Sequence, residues 1–400
     1  MSNRRPTIRD VARKSGLSVS TVSLVLNEKS NVAKETRQKV QKVIAELSYH
    51  PQRSARGLAS QSSGNIGLIL TDDHFNVAEP FYTKVFLGTE FEARKHNYYV
   101  LLTTVAPTVR GTKEMPRFLL EHNVDGVIIA GKIGTPWIEY VRERNLPIVL
   151  VDYEIPRHRL STVTMDNRGG ARLVVEHLLA LGHTKIGFIG GDLEHPSIAE
   201  RYHAYCDTLQ SHGVEIASSW KSINEPDTRV ENGYRAAKRL LSTATKRPTA
   251  VFAANDAMAL GCMKYCKEAG LSVPESVAIV GFDNIEAGLL VEPRLTTVNV
   301  HREEMGAMAV RRLVEMMRYK ADVMVTTTTP VELVIRESSG AKRDLHSETP
   351  PHFVPDAETS IHHHTSCLTR KQALSYHHRA AVTIFVSRTF HDHLHNHHTK

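Results

Sequence analysis

The 400-residue sequence has four cysteines, no long apolar run and no apolar segment at its N-terminus. Each absence removes a class of protein. Cys206, Cys262, Cys266 and Cys367 are too few and too scattered to staple a chain of this size, so no disulfide framework is expected. Cys262 and Cys266 stand one helical turn apart. No second close pair completes four ligands, so reduced core thiols are expected there and no metal site. A membrane helix needs about 18 or more consecutive apolar residues, and none occurs. The opening MSNRRPTIRDV lacks the apolar core of a secretion signal, so the protein is expected to stay in the cytoplasm. No nucleophile elbow and no metalloprotease motif is present. GVIIAGK (126–132) fits most of a phosphate loop but continues with Ile133 where a hydroxyl belongs. FIGGD (188–192) lacks the full glycine spacing of a dinucleotide turn. Neither a cofactor nor a catalytic role is expected.

The charge is unevenly placed. The chain carries +7, and residues 1–60 hold 12 Lys and Arg against 4 Asp and Glu. A basic module on a nearly neutral body points to a polyanionic partner, and nucleic acid is the usual one. Inside that module, SVSTVSLVLN (18–27) has no charge of either sign.

Helical periodicity orders the module. Thr7-Ile-Arg-Asp10 has the spacing of a capping box, and Ile8, Val11 and Ala12 share one face. Gly16 breaks that helix, and Ser18 is suited to cap a second one, with Val22, Val25 and Leu26 inward. A third helix spans roughly 34–47, with Val40, Val43, Ile44 and Leu47 inward. Three short helices with a tight turn between the first two make a helix-turn-helix unit. Val19, Ser20, Ser23, Leu24 and Asn27 then face out. Their short uncharged side chains can approach base edges in a major groove, while the cations around them meet phosphates.

Apolar runs recur beyond the polar linker at 60–64. IGLIL (66–70), YYVLL (98–102), GVIIA (126–130), IVLV (148–151), IGFIG (186–190), AVFAA (250–254) and VAIVGF (277–282) read as buried parallel strands. Helical patterns such as 171–182 and 257–270 lie between them, with Gly182 and Gly270 where C-caps belong. This alternation implies two doubly wound lobes. Ligands of such folds bind beyond the C-terminal strand ends, where Asp72, Asp73, Asp166, Asn255, Asp256, Asp283 and Asn284 stand.

TIRDVARKSGLSVSTVSLVLN, followed by VAKETRQKVQKVIAELSYHPQRSARGLAS, resembles the DNA-binding headpiece of the LacI/GalR family, without a gap from about residue 6 to residue 60. ARLVVEHLLALGHTKIGFIGG, AANDAMALG, VAIVGFDN and EPRLTTVNVHREEMG resemble the same family's core, which is similar to periplasmic sugar-binding proteins. The resemblance implies that Val19 and Ser20 read bases, and that Thr21, Ser23 and Asn27 meet DNA or its backbone. Leu24 stands where members often carry Arg. Residues 51–59 match the hinge, with Leu58 as a minor-groove wedge and Arg56 near the backbone. In the core, Arg201, Asn255 and Asp283 match effector-contacting positions and Phe81 an aromatic of the pocket wall.

These readings define an α/β protein. An all-α helix-turn-helix headpiece (1–50) and a hinge and linker (51–64) precede a two-lobed, doubly wound, periplasmic-binding-protein-like core (65–340). The lobes are expected at 62–165 with 296–325, and at 166–295 with 326–340. The tail 341–400 holds 12 of the 23 histidines, and its polar, aperiodic composition predicts disorder. The residues expected to meet DNA are Thr7, Ser18, Val19, Ser20, Thr21, Ser23, Leu24, Asn27, Arg56 and Leu58. Those expected to meet an effector are Asp73, Phe81, Asp166, Arg201, Asn255 and Asp283. Carboxylates and an arginine beside an apolar wall suit a sugar or sugar derivative. The expected protein is a homodimeric regulator, a repressor, on a pseudo-palindromic double-stranded operator, with no membrane partner. The competing reading is a solute-binding protein of periplasmic type, which the helix-turn-helix and the missing signal segment disfavour.

Overall fold

The computed structural model describes residues 6–26, 32–49, 62–72, 81–106, 115–155, 159–243, 247–319 and 323–340. Helices α1 (Ile8–Ser15), α2 (Val19–Leu26) and α3 (Lys34–Glu46) form the N-terminal part. The Asp10 carboxylate accepts both the Thr7 amide (2.9 Å) and the Thr7 hydroxyl (2.7 Å), which holds the first turn of α1. Gly16, with φ 65°, adopts the left-handed conformation that ends α1 and turns the chain toward α2. Val11, Ala12, Val22, Val25, Val40, Val43 and Tyr49 interlock as a small buried core. Ile44, Leu26 and Leu47 pack on its margin.

Two parallel sheets follow. The first contains β1 (Asn65–Thr71), β2 (Tyr99–Val105), β3 (Gly126–Ala130), β4 (Ile148–Val151), β5 (Ser161–Met165) and β11 (Thr326–Thr329), in the order β11-β5-β4-β3-β1-β2. The second contains β6 (Ile186–Ile189), β7 (Lys221–Ser222), β8 (Ala250–Ala253) and β9 (Ala278–Val280), in the order β7-β6-β8-β9. Every residue of β3, β4, β6 and β8 is buried, which is why their sequences read as continuous apolar runs. Helices α4 (Phe81–Lys95), α5 (Arg117–Leu120), α6 (Thr135–Arg142) and α11 (Arg302–Tyr319) belong with the first sheet. Helices α7 (Asn167–Ala180), α8 (Pro196–Ser211), α9 (Val230–Leu241) and α10 (Asp256–Glu268) belong with the second. Cys262 and Cys266 lie on the buried face of α10. Gly88 lets α4 touch α11 closely: a Cβ there would stand 1.8 Å from the Glu303 carbonyl oxygen.

Two of the three crossings between lobes lie elsewhere than expected. Thr326–Thr329, expected in the second lobe, pairs in parallel with β5 at the edge of the first sheet. Residues 297–300, expected in the first lobe, form β10, which pairs antiparallel with β12 (Val331–Val334). Bridges from Thr296 to Val280 and from Asn299 to Asp283 tie β10 to the second sheet. Alternation alone does not reveal this. An all-Thr edge strand carries no apolar signal, and periodicity does not say which sheet a strand joins.

Candidate functional site

The outer face of the headpiece is built on α2. Ser18 Oγ accepts the Thr21 amide at 3.0 Å and lies 2.8 Å from the Thr21 hydroxyl, so Ser18 caps the helix. With Val22 and Val25 buried, Val19 and Leu24 are left 42% and 37% exposed, and Ser20 shares their open face. Thr7, Thr21 and Ser23 are half-buried at its margin. Asn27, Arg56 and Leu58, and the whole 341–400 tail, lie outside the described residues.

A cleft of about 600 Å³ opens where the C-terminal ends of the two sheets face each other. The first lobe supplies Phe81 and Tyr82 from the start of α4, Lys132 after β3, and Asp152 and Tyr153 after β4. The second supplies Asp192 after β6, His195, Ser197 and Arg201 at the start of α8, Asn255 after β8, and Asp283 after β9. Phe81 stacks edge-on against Tyr82, with ring centres 5.0 Å apart, and forms an apolar wall.

Arg201 is fixed by the protein on all sides. Its Nε donates to Asn167 Oδ1 at 2.9 Å and its Nη1 to the Ala254 carbonyl at 2.7 Å. Its guanidinium lies 3.7 Å over the Phe282 ring. Nη1 also stands 3.5 Å from Asp283 Oδ1. Asp283 is buried, and burial pushes its carboxyl up to about 8, against the pull of Arg201. Its φ of 114° is in the left-handed region, and the residue lines the cleft. Asp283 Oδ1 has no hydrogen-bond partner among the described residues.

Three groups line the cleft without having stood out in the sequence. Asp152 takes φ 56° directly after β4 and accepts the Tyr82 hydroxyl (2.8 Å) and the Ser197 hydroxyl (2.7 Å). Lys132 Nζ reaches across to Asp192 (2.6 Å) and Glu194 (3.1 Å). His195 is held neutral, since burial lowers its pKa, and its buried Nδ1 has no hydrogen-bond partner among the described residues. The strand-end rule that singled out Asp283 applies equally to Asp152, which ends IVLV; the other signals are three-dimensional.

Two expected residues are placed otherwise. Asp166 caps α7, accepts the Gly169 amide at 2.7 Å, is exposed, and is not among the cleft-lining residues. Asp73 lies outside the described residues. Asn255, which lines the cleft, is also the cap of α10 and accepts the Met258 amide at 2.9 Å. Asp256, the next strand-end residue, is fully buried and accepts the Thr297 hydroxyl (2.5 Å) and the Ile285 amide (2.8 Å).

Residues 7–52 match the family model of bacterial regulatory proteins, lacI family, and residues 175–339 match a periplasmic binding protein-like domain. The HTH-type transcriptional repressor CytR of Escherichia coli is 33% identical over 337 residues, covering 84% of this chain and 96% of the relative. The HTH-type transcriptional repressor PurR of Pasteurella multocida is 32% identical over 341 residues, covering 83% and 98%.

The chain belongs to the lacI family.

Solved lacI-family structures agree in fold. The lac repressor dimer bound to operator and the anti-inducer ONPF superposes with a TM-score of 0.71 at 29% identity, covering 84% of this chain and all of that one. The complex of the transcriptional regulator CelR with cellobiose gives 0.63 at 30% identity, with the same coverage. As a lacI-family member, the chain is a DNA-binding transcriptional regulator that answers to a small molecule, and not an enzyme. The match over 7–52 sets it apart from a solute-binding protein of the second domain type alone. No helix among the described residues is long and apolar enough to cross a membrane.

Proposed function

We propose that the chain is a cytoplasmic repressor, a homodimer on a pseudo-palindromic operator, released or engaged by a neutral sugar bound in the cleft. The headpiece (1–50) and hinge (51–64) hold DNA, and the core (65–340) senses the ligand. Val19, Ser20 and Leu24 read bases, supported by Thr7, Ser18, Thr21, Ser23, Asn27, Arg56 and the Leu58 wedge. The lac repressor dimer on its operator supports the dimeric reading, and the cellobiose complex of CelR supports a carbohydrate.

The observation that carries the ligand class is the pairing of charges in the cleft. Lys132 faces Asp192, Arg201 faces Asp283, and Arg229 stands 3.8 Å from Asp227. Lys132 and Arg229 each face a carboxylate, and with Asp283 protonated below about pH 8 the Asp152 carboxylate offsets Arg201, so the lining is close to neutral. An ionic ligand of either sign would gain no net attraction from it. A neutral polyol instead meets acceptors and donors at fixed positions, against the Phe81 wall. Asp283 Oδ1 and His195 Nδ1 are the buried polar atoms left for it.

Arg201 and Asn255 also hold the protein together, so their removal does not isolate binding. His195→Ala and Asp283→Asn do. A panel of neutral mono- and disaccharides is screened by thermal shift and by operator affinity. A sugar that shifts the wild type is expected to bind each variant about ten- to a hundredfold more weakly, the equivalent of a lost charge-assisted or buried hydrogen bond. Operator affinity without ligand should be unchanged. A response to free nucleobases and to no sugar would overturn the reading.

A further inference from the structure

A second cavity lies on the outer face of the second lobe, against the edge strand β7 and helix α9. It is about 530 Å³ and is lined by Lys221, Ser222, Glu225, Arg235 and Arg239, with the loop between β7 and α9 as its floor. Lys221 Nζ turns to the Tyr202 ring, 5.9 Å from its centre, so two arginines and one carboxylate leave the facing side chains one charge positive. Arg235 and Arg239 stand one turn apart on α9, where like charges repel unless something offsets them. Glu225, almost wholly buried, is that offset: it pairs with Arg239 and stands 3.7 Å from Arg235. Arg239 Nη2 also donates to Ser222 Oγ at 2.8 Å, and Arg235 Nη2 to Asn232. A guanidinium has five donor hydrogens, and these bonds use only part of each set. Both arginine side chains are more than half exposed, at 57% and 55%, so the remaining donors open on the cavity.

We infer that this cavity is a binding site for a small phosphate-type oxyanion, separate from the effector cleft. Two neighbouring guanidinium forks match a tetrahedral oxyanion, whose several acceptor oxygens take parallel N–H bonds. The surroundings make the site more than a local ion pair. Pro226 lines both cavities, and the residues that follow it, Asp227, Thr228 and Arg229, line the cleft. One loop is thus the floor of the anion cavity and a wall of the effector cleft, so an anion outside and a ligand inside act on the same backbone.

The test is calorimetric titration of the full chain with inorganic phosphate at constant ionic strength. Sulfate serves as a competitor, chloride as the control, and glycerol phosphate separates a free anion from a phosphate ester. One phosphate per chain is expected, displaced by sulfate and not by chloride. Arg235→Gln should weaken it about tenfold or more, with an unchanged melting temperature. Arg239→Gln is the poorer variant, because it strands the buried Glu225. Glu225→Gln should tighten phosphate binding, an effect that a purely structural ion-pair network does not produce. Binding that survives intact in Arg235→Gln would place the phosphate on the basic headpiece and overturn the site. So would the absence of phosphate binding, or equal displacement by chloride. His195→Ala, which acts only inside the cleft, should leave phosphate binding unchanged, so this site and the sugar site fail independently.

Discussion

Asp283 holds its proton up to about pH 8, where a free carboxyl has lost it near 4. Asp256, buried beneath the Thr297 hydroxyl and the Ile285 amide, holds its own to about 7, again because burial outweighs those bonds. The folded state therefore binds more protons than the unfolded chain across this window. The contribution of these two groups to stability is full below about pH 4, falls as pH rises, and is lost above about 8. Each such group adds a slope of about 1.4 kcal/mol per pH unit at most. Asp283→Asn removes one proton-binding site without changing shape. Its denaturation curves should show a shallower loss of stability between pH 5 and 8 than those of the wild type. Parallel curves would show that Asp283 ionises normally in the fold. At this scale, Asn255 and Asp283 stand at strand ends read from the sequence, Arg201 and Phe81 follow from the family resemblance, and the structure brings all four to the cleft. Asp166 shows the limit of that rule, because a strand-end carboxylate can equally well cap the next helix. His195 and Lys132 carry no sequence signal, since their roles come from burial and from a partner about sixty residues away.

At the scale of elements, α2 shows how a recognition helix is made without charge. Val22 and Val25 anchor it, Ser18 caps it, and the exposed side is left to Val19, Ser20 and Leu24. Phosphate attraction comes from the rest of the basic module, whose 12 Lys and Arg act on any duplex. Base choice must then come from short contacts, and Leu24 offers only an apolar one. Leu24→Arg supplies a fork that grips guanine O6 and N7. Selection from a random duplex library should return a half-site with a new guanine preference at one position, worth about 1–3 kcal/mol of discrimination. Identical selected sites for wild type and variant would remove Leu24 from the reading face. The three headpiece helices were legible because each has a cap or breaker and an i, i+3, i+4 apolar face. β5, β7, β10, β11 and β12 were not, because short or Thr-rich strands lack a continuous apolar run.

At the scale of the whole core, the two lobes are held together across the cleft by two kinds of bond, and their burial decides which matters more. Lys132 reaches Asp192 and Glu194, but the Lys132 and Asp192 side chains are both more than a third exposed, and Glu194 is more so. Exposed ion pairs of this kind are worth about 0–1 kcal/mol, and salt weakens them further. The Ser197–Asp152 bond is buried at both ends and joins the start of α8 to the end of β4. A buried hydrogen bond to a charged group contributes about 1.5–3 kcal/mol. Removing Ser197 also leaves Asp152 with the Tyr82 hydroxyl as its one remaining bond among those described. Closure of the lobes should therefore depend on Ser197 more than on Lys132. A shift of that size moves a two-state equilibrium by tenfold or more, and a ligand that needs the closed state loses affinity in proportion. Ser197→Ala is expected to raise the ligand-free radius of gyration in small-angle scattering and to weaken sugar binding. Lys132→Met should change both only slightly, and less still at high salt. If Lys132→Met opened the core more than Ser197→Ala, the exposed latch rather than the buried one would set the angle between the lobes, and with it the spacing of the two headpieces on DNA.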